Sequence, residues 1–213
     1  MYEDILVSVV IPTYSRGRLL LERSIPSVMA QTHWLWELHV VGDGATQEVD
    51  EAMATIHDPR IRYTNRPRQA YPEAPYSAWM CRGADAINYG LDTAKGPFVT
   101  TLGDDDELMP NFMDALLTAM DHQDLDLVYG RSEIMGTGGY LGDGRPQCGS
   151  QTNSMLWRLN EVRQDPQCYR TRGLPNDWVL FSDLMDSGLR WGFTPEVVHR
   201  YYPSTYVPGF SLE

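Results

Sequence analysis

The chain predicts an α/β layer fold with a mostly parallel sheet. Two observations carry this. Short apolar, β-branched runs alternate with stretches of helical spacing, in the order β-α-β-α-β-α-β-α-β between Ile5 and Tyr129. Polar groups then follow the ends of separate strands, which in such sheets is the edge where ligands bind. Tyr14, Asp43 and Asp104 to Asp106 all occupy such positions.

Ile5 to Ile11 is a buried strand ended by Pro12. Arg18 to Gln31 carries Leu20, Leu21, Ile25, Val28 and Met29 at helical spacing, with Pro26 either kinking the helix or setting its start. Trp36 to Val41 is the second strand, broken by Gly42-Asp43-Gly44. Thr46 to Ile56 is the second helix, with Thr46 placed as its N-cap. Arg60 to Thr64 alternates as a short strand. Trp79 to Ala94 is the third helix, stopped at Gly96. Phe98 to Leu102 is a buried strand, followed by a helix from Pro110 to about Met120 and a strand from Leu125 to Tyr129. Beyond this the pattern loosens. Gly136 to Ser150 reads as a hairpin or mobile loop, Asp177 to Ser187 as a helix stopped by Gly188, and Val197 to Tyr202 as a late strand.

Gly103-Asp104-Asp105-Asp106-Glu107 is the most informative run. Carboxylates this close raise one another's pKa unless a cation sits among them. Hard oxygen ligands suit Mg²⁺ or Mn²⁺, and Mg²⁺ often uses one or two carboxylates plus substrate phosphates. Taken alone, the run is either a metal–diphosphate site or a solvated acidic turn before a helix.

At 213 residues, 42% hydrophobic and 22% charged, the chain can bury a sizeable core. A net charge of −12 argues against a general affinity for nucleic acid. Cys81, Cys148 and Cys168 are odd in number and lack CxxC spacing, which argues against a disulfide framework or zinc site and suits a cytoplasmic setting. No stretch approaches the roughly 20 apolar residues of a membrane span. Trp157, Trp178 and Trp191 are read either as core or as a sugar-stacking surface.

Several motifs resemble one family. Val7-Ser8-Val9-Val10-Ile11-Pro12-Thr13-Tyr14-Ser15-Arg16 is similar to the VSVVIPTYNR opening of family 2 glycosyltransferases of GT-A fold. Ser27 to Thr32 resembles that family's SVLAQT, Val40 to Thr46 its VVDDGST, Leu102 to Asp106 its LDSDD, and Asn176-Asp177-Trp178 its ED helix. The motifs follow in order along nearly the whole chain.

The resemblance implies a Rossmann-like, three-layer GT-A domain over 1–213, with a nucleotide-sugar-binding half (1–106) and an acceptor-side half (107–213). It implies an inverting transfer of sugar from a nucleotide-sugar, UDP-linked, to a hydroxyl acceptor, with Mn²⁺ or Mg²⁺ as cofactor. Pro12 and Tyr14 would line the base pocket, Asp43 would accept from a uracil N–H, and Asp104 would face the ribose. Arg16 belongs with these nucleotide-binding residues. Ile87 stands where many members carry Arg, and Arg82 is the candidate diphosphate contact in its place. Asp105 would bind the metal, with His199 as a further ligand, and Asp177 would be the base. A non-catalytic nucleotide-sugar-binding module and a nucleotidyltransferase are the alternatives.

Overall fold

The computed structural model describes residues 4–145 and 150–203. Its nine-stranded sheet runs β3-β2-β1-β4-β8-β6-β9-β5, with β7 paired to β6. The strands β1 (Val7–Thr13), β2 (Trp36–Asp43), β3 (Ile61–Arg66) and β4 (Phe98–Thr101) are mutually parallel. Antiparallel pairs are confined to the second half, around β5 (Glu107–Leu108), β6 (Leu127–Ile134), β7 (Gly139–Leu141) and β8 (Met155–Arg158). The last strand, β9 (Trp191–Tyr201), returns parallel to β6.

Strand periodicity divides the core into two layers. Val7, Val9 and Ile11 face one side, against Ile25, Val28, Val49 and the apolar face of α6 (Phe112–Gln123). Val10 and Val99 face the other, against Ile87, Leu91, Leu180 and Phe181. These come from α5 (Ala84–Thr93) and α8 (Asn176–Asp186). Helices thus cover both faces of the sheet, as the alternating sequence predicts.

Four sequence expectations need correction. Pro12 does not end β1 but lies within it. Pairing with β4 stops at Val10, so the missing N–H of Pro12 breaks no ladder on that side. The helix expected over Arg18 to Gln31 is α1 (Gly17–Leu19), a π-helical turn (Leu20–Ser24) and α2 (Ile25–Met29), with Pro26 in the first turn of α2. The wider π-turn precedes the residue that lacks an N–H. Thr46 sits at the N-cap of α3 (Gln47–Ala54), but its hydroxyl makes no cap bond. The helix expected over Trp79 to Ala94 is two, α4 (Pro75–Met80) and α5, separated by a turn in which Gly83 takes φ +73°.

Other strands run longer than their sequence signal, and β5, β8 and the short helix α7 (Cys168–Thr171) carry none. The hairpin that forms, β6–β7, begins before the segment expected for it over Gly136 to Ser150, and only β7 lies within that segment. Residues 146–149, with Cys148, lie outside the described residues. Cys81 and Cys168 are buried free thiols. Among the described residues no helix is long and apolar enough to cross a membrane.

Within the second layer, α5 lies tightly against β1 at Gly90. A Cβ there would lie 2.3 Å from Val10 Cγ1. Gly90→Ala should therefore push α5 off β1 and cost about 1–3 kcal/mol despite the better helix propensity of Ala. Urea unfolding checks this; unchanged or increased stability would contradict the packing.

Candidate functional site

The parallel half of the sheet opens a cleft of about 440 Å³ beyond the carboxyl ends of β1, β2 and β4. It is lined by Pro12 in β1, Tyr14 and Arg16 just after it, Asp43 at the end of β2, Arg82 and Gly83 in the α4–α5 turn, and Asp104 and Asp105 after β4. Seven of the predicted site residues therefore meet in one cleft. Asp177 and His199 are not among the residues lining it.

One end of the cleft is built around Asp43, which is buried. Its Oδ1 accepts the backbone N–H of Gln69 at 2.6 Å, and the Tyr71 hydroxyl donates to Oδ2. The same Tyr71 oxygen accepts the N–H of Gly83 at 2.9 Å. Burial and the adjacent Asp43 push the Tyr71 pKa well up, so it stays a neutral donor. Two accepted bonds leave Asp43 with lone pairs to spare. The exposed ring of Tyr14 lies under the Arg68 guanidinium, whose carbon is 3.5 Å from the ring centroid. Arg68 also donates to the Asp43 carbonyl at 3.0 Å.

Gln69, Tyr71 and Arg68 all follow β3, and sequence reasoning missed all three. Their signal was position: each lies a few residues past a predicted strand on the ligand-binding edge.

The other end is the acid loop. Asp104 accepts from Thr13 Oγ1 at 2.9 Å and from Arg16 Nη1 at 2.9 Å. Arg16 Nη1 also reaches Asp105 Oδ2 at 2.7 Å. Burial raises the Asp104 pKa, and Arg16 and Thr13 oppose that rise. Burial likewise pushes Asp105 up to about 6, helped by Asp106 and Asp104 and opposed by Arg16. The loop's backbone rests on the π-turn. Arg23 donates to the Asp105 carbonyl at 3.2 Å and Ser24 to that of Gly103 at 3.0 Å. Gly103 stands where the motif carries an acid, and a Cβ there would lie 2.9 Å from Asp106 Oδ2.

Asp106 faces away from the cleft. It accepts from Asn153 Nδ2 at 3.2 Å and from the Tyr202 N–H at 2.9 Å. His199, wholly buried on β9, puts Nε2 3.5 Å from Asp106 Oδ2 and hydrogen-bonds Ser132 through Nδ1. Its Nε2 has no hydrogen-bond partner.

Among the described residues, no group of three or more His, Cys, Asp or Glu side chains is arranged to hold a metal alone. The acid loop nonetheless fits a hard cation. Its carboxylates crowd one another, burial and then that crowding raise the Asp105 pKa, and a guanidinium already bridges Asp104 and Asp105. A divalent ion sharing Asp105 with a diphosphate matches this donor set.

Asp177 lies in the first turn of α8, half-buried. Its Oδ1 accepts the Trp178 N–H at 2.8 Å. Desolvation by the surrounding chain raises its pKa to about 6, and the Trp178 N–H opposes that rise. Pro175 occupies the N-cap, so Asp177 is a first-turn acid and not the cap. Tyr201 is half-buried, and burial together with the charges of Asp106, Asp105 and Asp177 raises its pKa.

A buried amide chain ties Asp177's helix to the cleft. Asn176 Nδ2 donates to Gln164 Oε1 at 2.7 Å and to the Arg82 carbonyl at 2.9 Å. Asn88 exchanges two bonds with the Gln164 backbone, at 2.8 and 2.9 Å. Ile87 is buried in the second core layer, while Arg82 is exposed in the cleft wall. Of the three tryptophans, Trp157 is wholly buried core, Trp178 stacks on Phe181, and Trp191 is 39% exposed.

Comparisons with known proteins agree with this geometry. The profile of "Glycosyl transferase family 2" matches residues 8–75 and 80–170. The glycosyltransferase GlyG of Streptococcus pneumoniae is 32% identical over 125 residues, which are 59% of this chain and 38% of GlyG. This chain spans well under two thirds of the curated relatives it matches first. Among solved structures, S. aureus TarS in complex with UDP-GlcNAc superposes with a TM-score of 0.72 at 13% identity, covering 94% of this chain and 59% of TarS. The mannosyltransferase PcManGT of Pyrobaculum calidifontis, in complex with GDP-Man and Mn²⁺, superposes at 0.65 and 15% identity, covering 92% and 56%. The fold is therefore that of GT-A glycosyltransferases, and the chain belongs to glycosyl transferase family 2.

Proposed function

We propose that this chain is the donor-binding and catalytic unit of an inverting glycosyltransferase that moves sugar from a UDP-linked donor to a hydroxyl acceptor. One observation carries the reading: a single cleft holds a buried hydrogen-bond acceptor, Asp43, at one end and the paired acids Asp104 and Asp105 at the other. A nucleoside diphosphate has complementary ends, a base with N–H groups and a charged diphosphate. TarS binds UDP-GlcNAc on this fold, which supports a UDP donor.

The roles follow from the chemistry of each group. Asp43 accepts from the base, next to the ring of Tyr14. Asp104 accepts from the ribose, and Arg16 and Arg82 face the diphosphate. Asp105 would hold Mg²⁺ or Mn²⁺; His199, wholly buried against Asp106 on the side away from the cleft, would reach that ion only if the acid loop rearranged. When bound, such an ion offsets charge developing on the departing diphosphate. Asp177 takes the acceptor's proton as the hydroxyl attacks the anomeric carbon, which inverts it. No carboxylate nucleophile is assigned, so no covalent sugar intermediate forms. A pure binding module has no use for Asp177, which keeps the transferase reading ahead of it.

Asp43 should discriminate among bases. Uracil N3 carries a proton and cytosine N3 does not. UDP should bind at least about tenfold tighter than CDP, the range of one hydrogen bond to a charged group. Asp43→Ala should shrink that ratio to about threefold or less. Calorimetry with UDP, CDP and GDP checks this, since guanine also presents an N–H. Equal UDP and CDP affinities of the unaltered protein would remove Asp43 from base recognition.

Asp177 should be needed ionised. Transfer should rise with pH through about 6, the value burial gives this carboxyl. Asp177→Asn keeps the shape and should abolish most transfer while leaving UDP affinity intact. Its effect on stability has a definite sign. A carboxyl whose folded pKa is raised binds more protons folded than unfolded, so stability falls as pH rises from about 4 to 6. Asp177→Asn should therefore match or exceed the unaltered protein in stability at pH 7.5, by up to about 3 kcal/mol. The gain should vanish near pH 4. Transfer assayed across nucleotide-sugars with Mn²⁺, with melting curves for both proteins, tests this; near-normal turnover by Asp177→Asn would end the base assignment.

A further inference from the structure

Arg16 holds the place that a metal and a ribose would need. Its Nη1 bonds Asp104 Oδ1 at 2.9 Å and Asp105 Oδ2 at 2.7 Å, so one guanidinium nitrogen spans both carboxylates. The other oxygen of Asp104 is taken by Thr13. In this state each oxygen of Asp104 already accepts from within the chain, and Asp105 already has a cation against it. The side chain of Arg16 remains 38% exposed, and it follows β1 at the mouth of the cleft, free on its solvent side.

We infer that Arg16 is a tethered counter-ion that makes metal and nucleoside diphosphate bind only together. This deepens the donor-site reading above and rests on it. A metal arriving alone must displace a guanidinium from a charge-assisted hydrogen bond to Asp104 and an ion pair with Asp105, and leave it without an anion. A metal arriving with a diphosphate offers Arg16 a replacement anion within the same cleft. Release of Arg16 also frees Asp104 Oδ1 at the moment a ribose hydroxyl needs an acceptor. The displaced interaction is therefore recovered only when all three ligand parts are present. That is a positive coupling between metal and nucleotide, and it must be reciprocal. The sparse ligand set adds to it, because no described cluster of three ligating side chains could retain the ion by itself.

The thermodynamic signature separates Arg16 from a plain diphosphate contact. A contact residue, when removed, weakens UDP and leaves free metal alone. A tethered counter-ion, when removed, strengthens binding of free metal. The experiment is Mn²⁺ binding to the whole chain at pH 8, without nucleotide, followed by the loss of the free Mn²⁺ signal in electron paramagnetic resonance. Arg16→Ala and Arg16→Gln are compared with the unaltered protein. Both variants should bind Mn²⁺ at least about fivefold more tightly, and the factor by which Mn²⁺ improves UDP affinity should fall by a similar amount. Melting curves confirm that both variants fold, and the Gln variant keeps the length of the side chain if Ala disturbs the loop. Mn²⁺ affinity raised less than fivefold in both folded variants would overturn the inference. Failure of the unaltered protein to bind any nucleoside diphosphate would instead overturn the donor reading, while the Mn²⁺ comparison would still decide the role of Arg16.

Discussion

Three consecutive carboxylates at the end of one buried strand set the terms for the rest of the structure. Each must find donors or cations, and no single element can supply them all. Asp104 draws on Thr13 and Arg16 from the first strand's edge. Asp105 shares Arg16, and its carbonyl is held by Arg23 from the π-turn. Asp106 turns the opposite way, to Asn153 and Tyr202. The strand order therefore does more than bury apolar surface: it brings five separate segments to one point where like charges would otherwise repel. The wide π-turn has the same logic, since it is where Arg23 and Ser24 meet the loop's carbonyls.

The second half of the chain is joined to this point by buried amides rather than by charge. Gln164 receives Asn176 on its side chain and Asn88 on its backbone, and Asn176 also holds the carbonyl of Arg82. Side-chain networks of this kind favour one geometry, because a displacement leaves polar atoms unpaired. The helix that carries Asp177 is thereby referenced to the cleft wall across a long stretch of sequence. The turn at Gly83 belongs to the same arrangement. It separates two helices that the sequence pattern runs together, and its N–H reaches back to Tyr71 beside Asp43.

Much of this was legible in the sequence, and the reasons are physical. Strands buried on both faces, such as Val7 to Ile11, read as unbroken apolar runs, and the polar residues just past them fall on the ligand edge by topology alone. Tyr14, Asp43 and the acid loop were found this way. The partners of those residues were not. Arg68, Gln69 and Tyr71 look like surface polar residues until the fold places them, and Gln164 has no local signature. β5, at two residues, is too short to show a period, and β8 at four residues is marginal. Thr46 has the right identity for an N-cap and makes no bond, because propensity names a residue type and not a rotamer. Ile87 shows the same limit from the other side. The family motif leads one to look for an arginine at that place, but the side chain faces the core, and the exposed Arg82 lies in the wall of the cleft.

The Tyr202–Asp106 bond has a mechanical consequence. The backbone leaving β9 donates directly to the acid loop, and β9 also pairs through His199 and Arg200 with the two residues of β5 that end that loop. The final strand is thus a lever whose short arm is the acid loop. The position of Tyr202 is therefore tied to that of Asp106, and through the loop to that of Asp105.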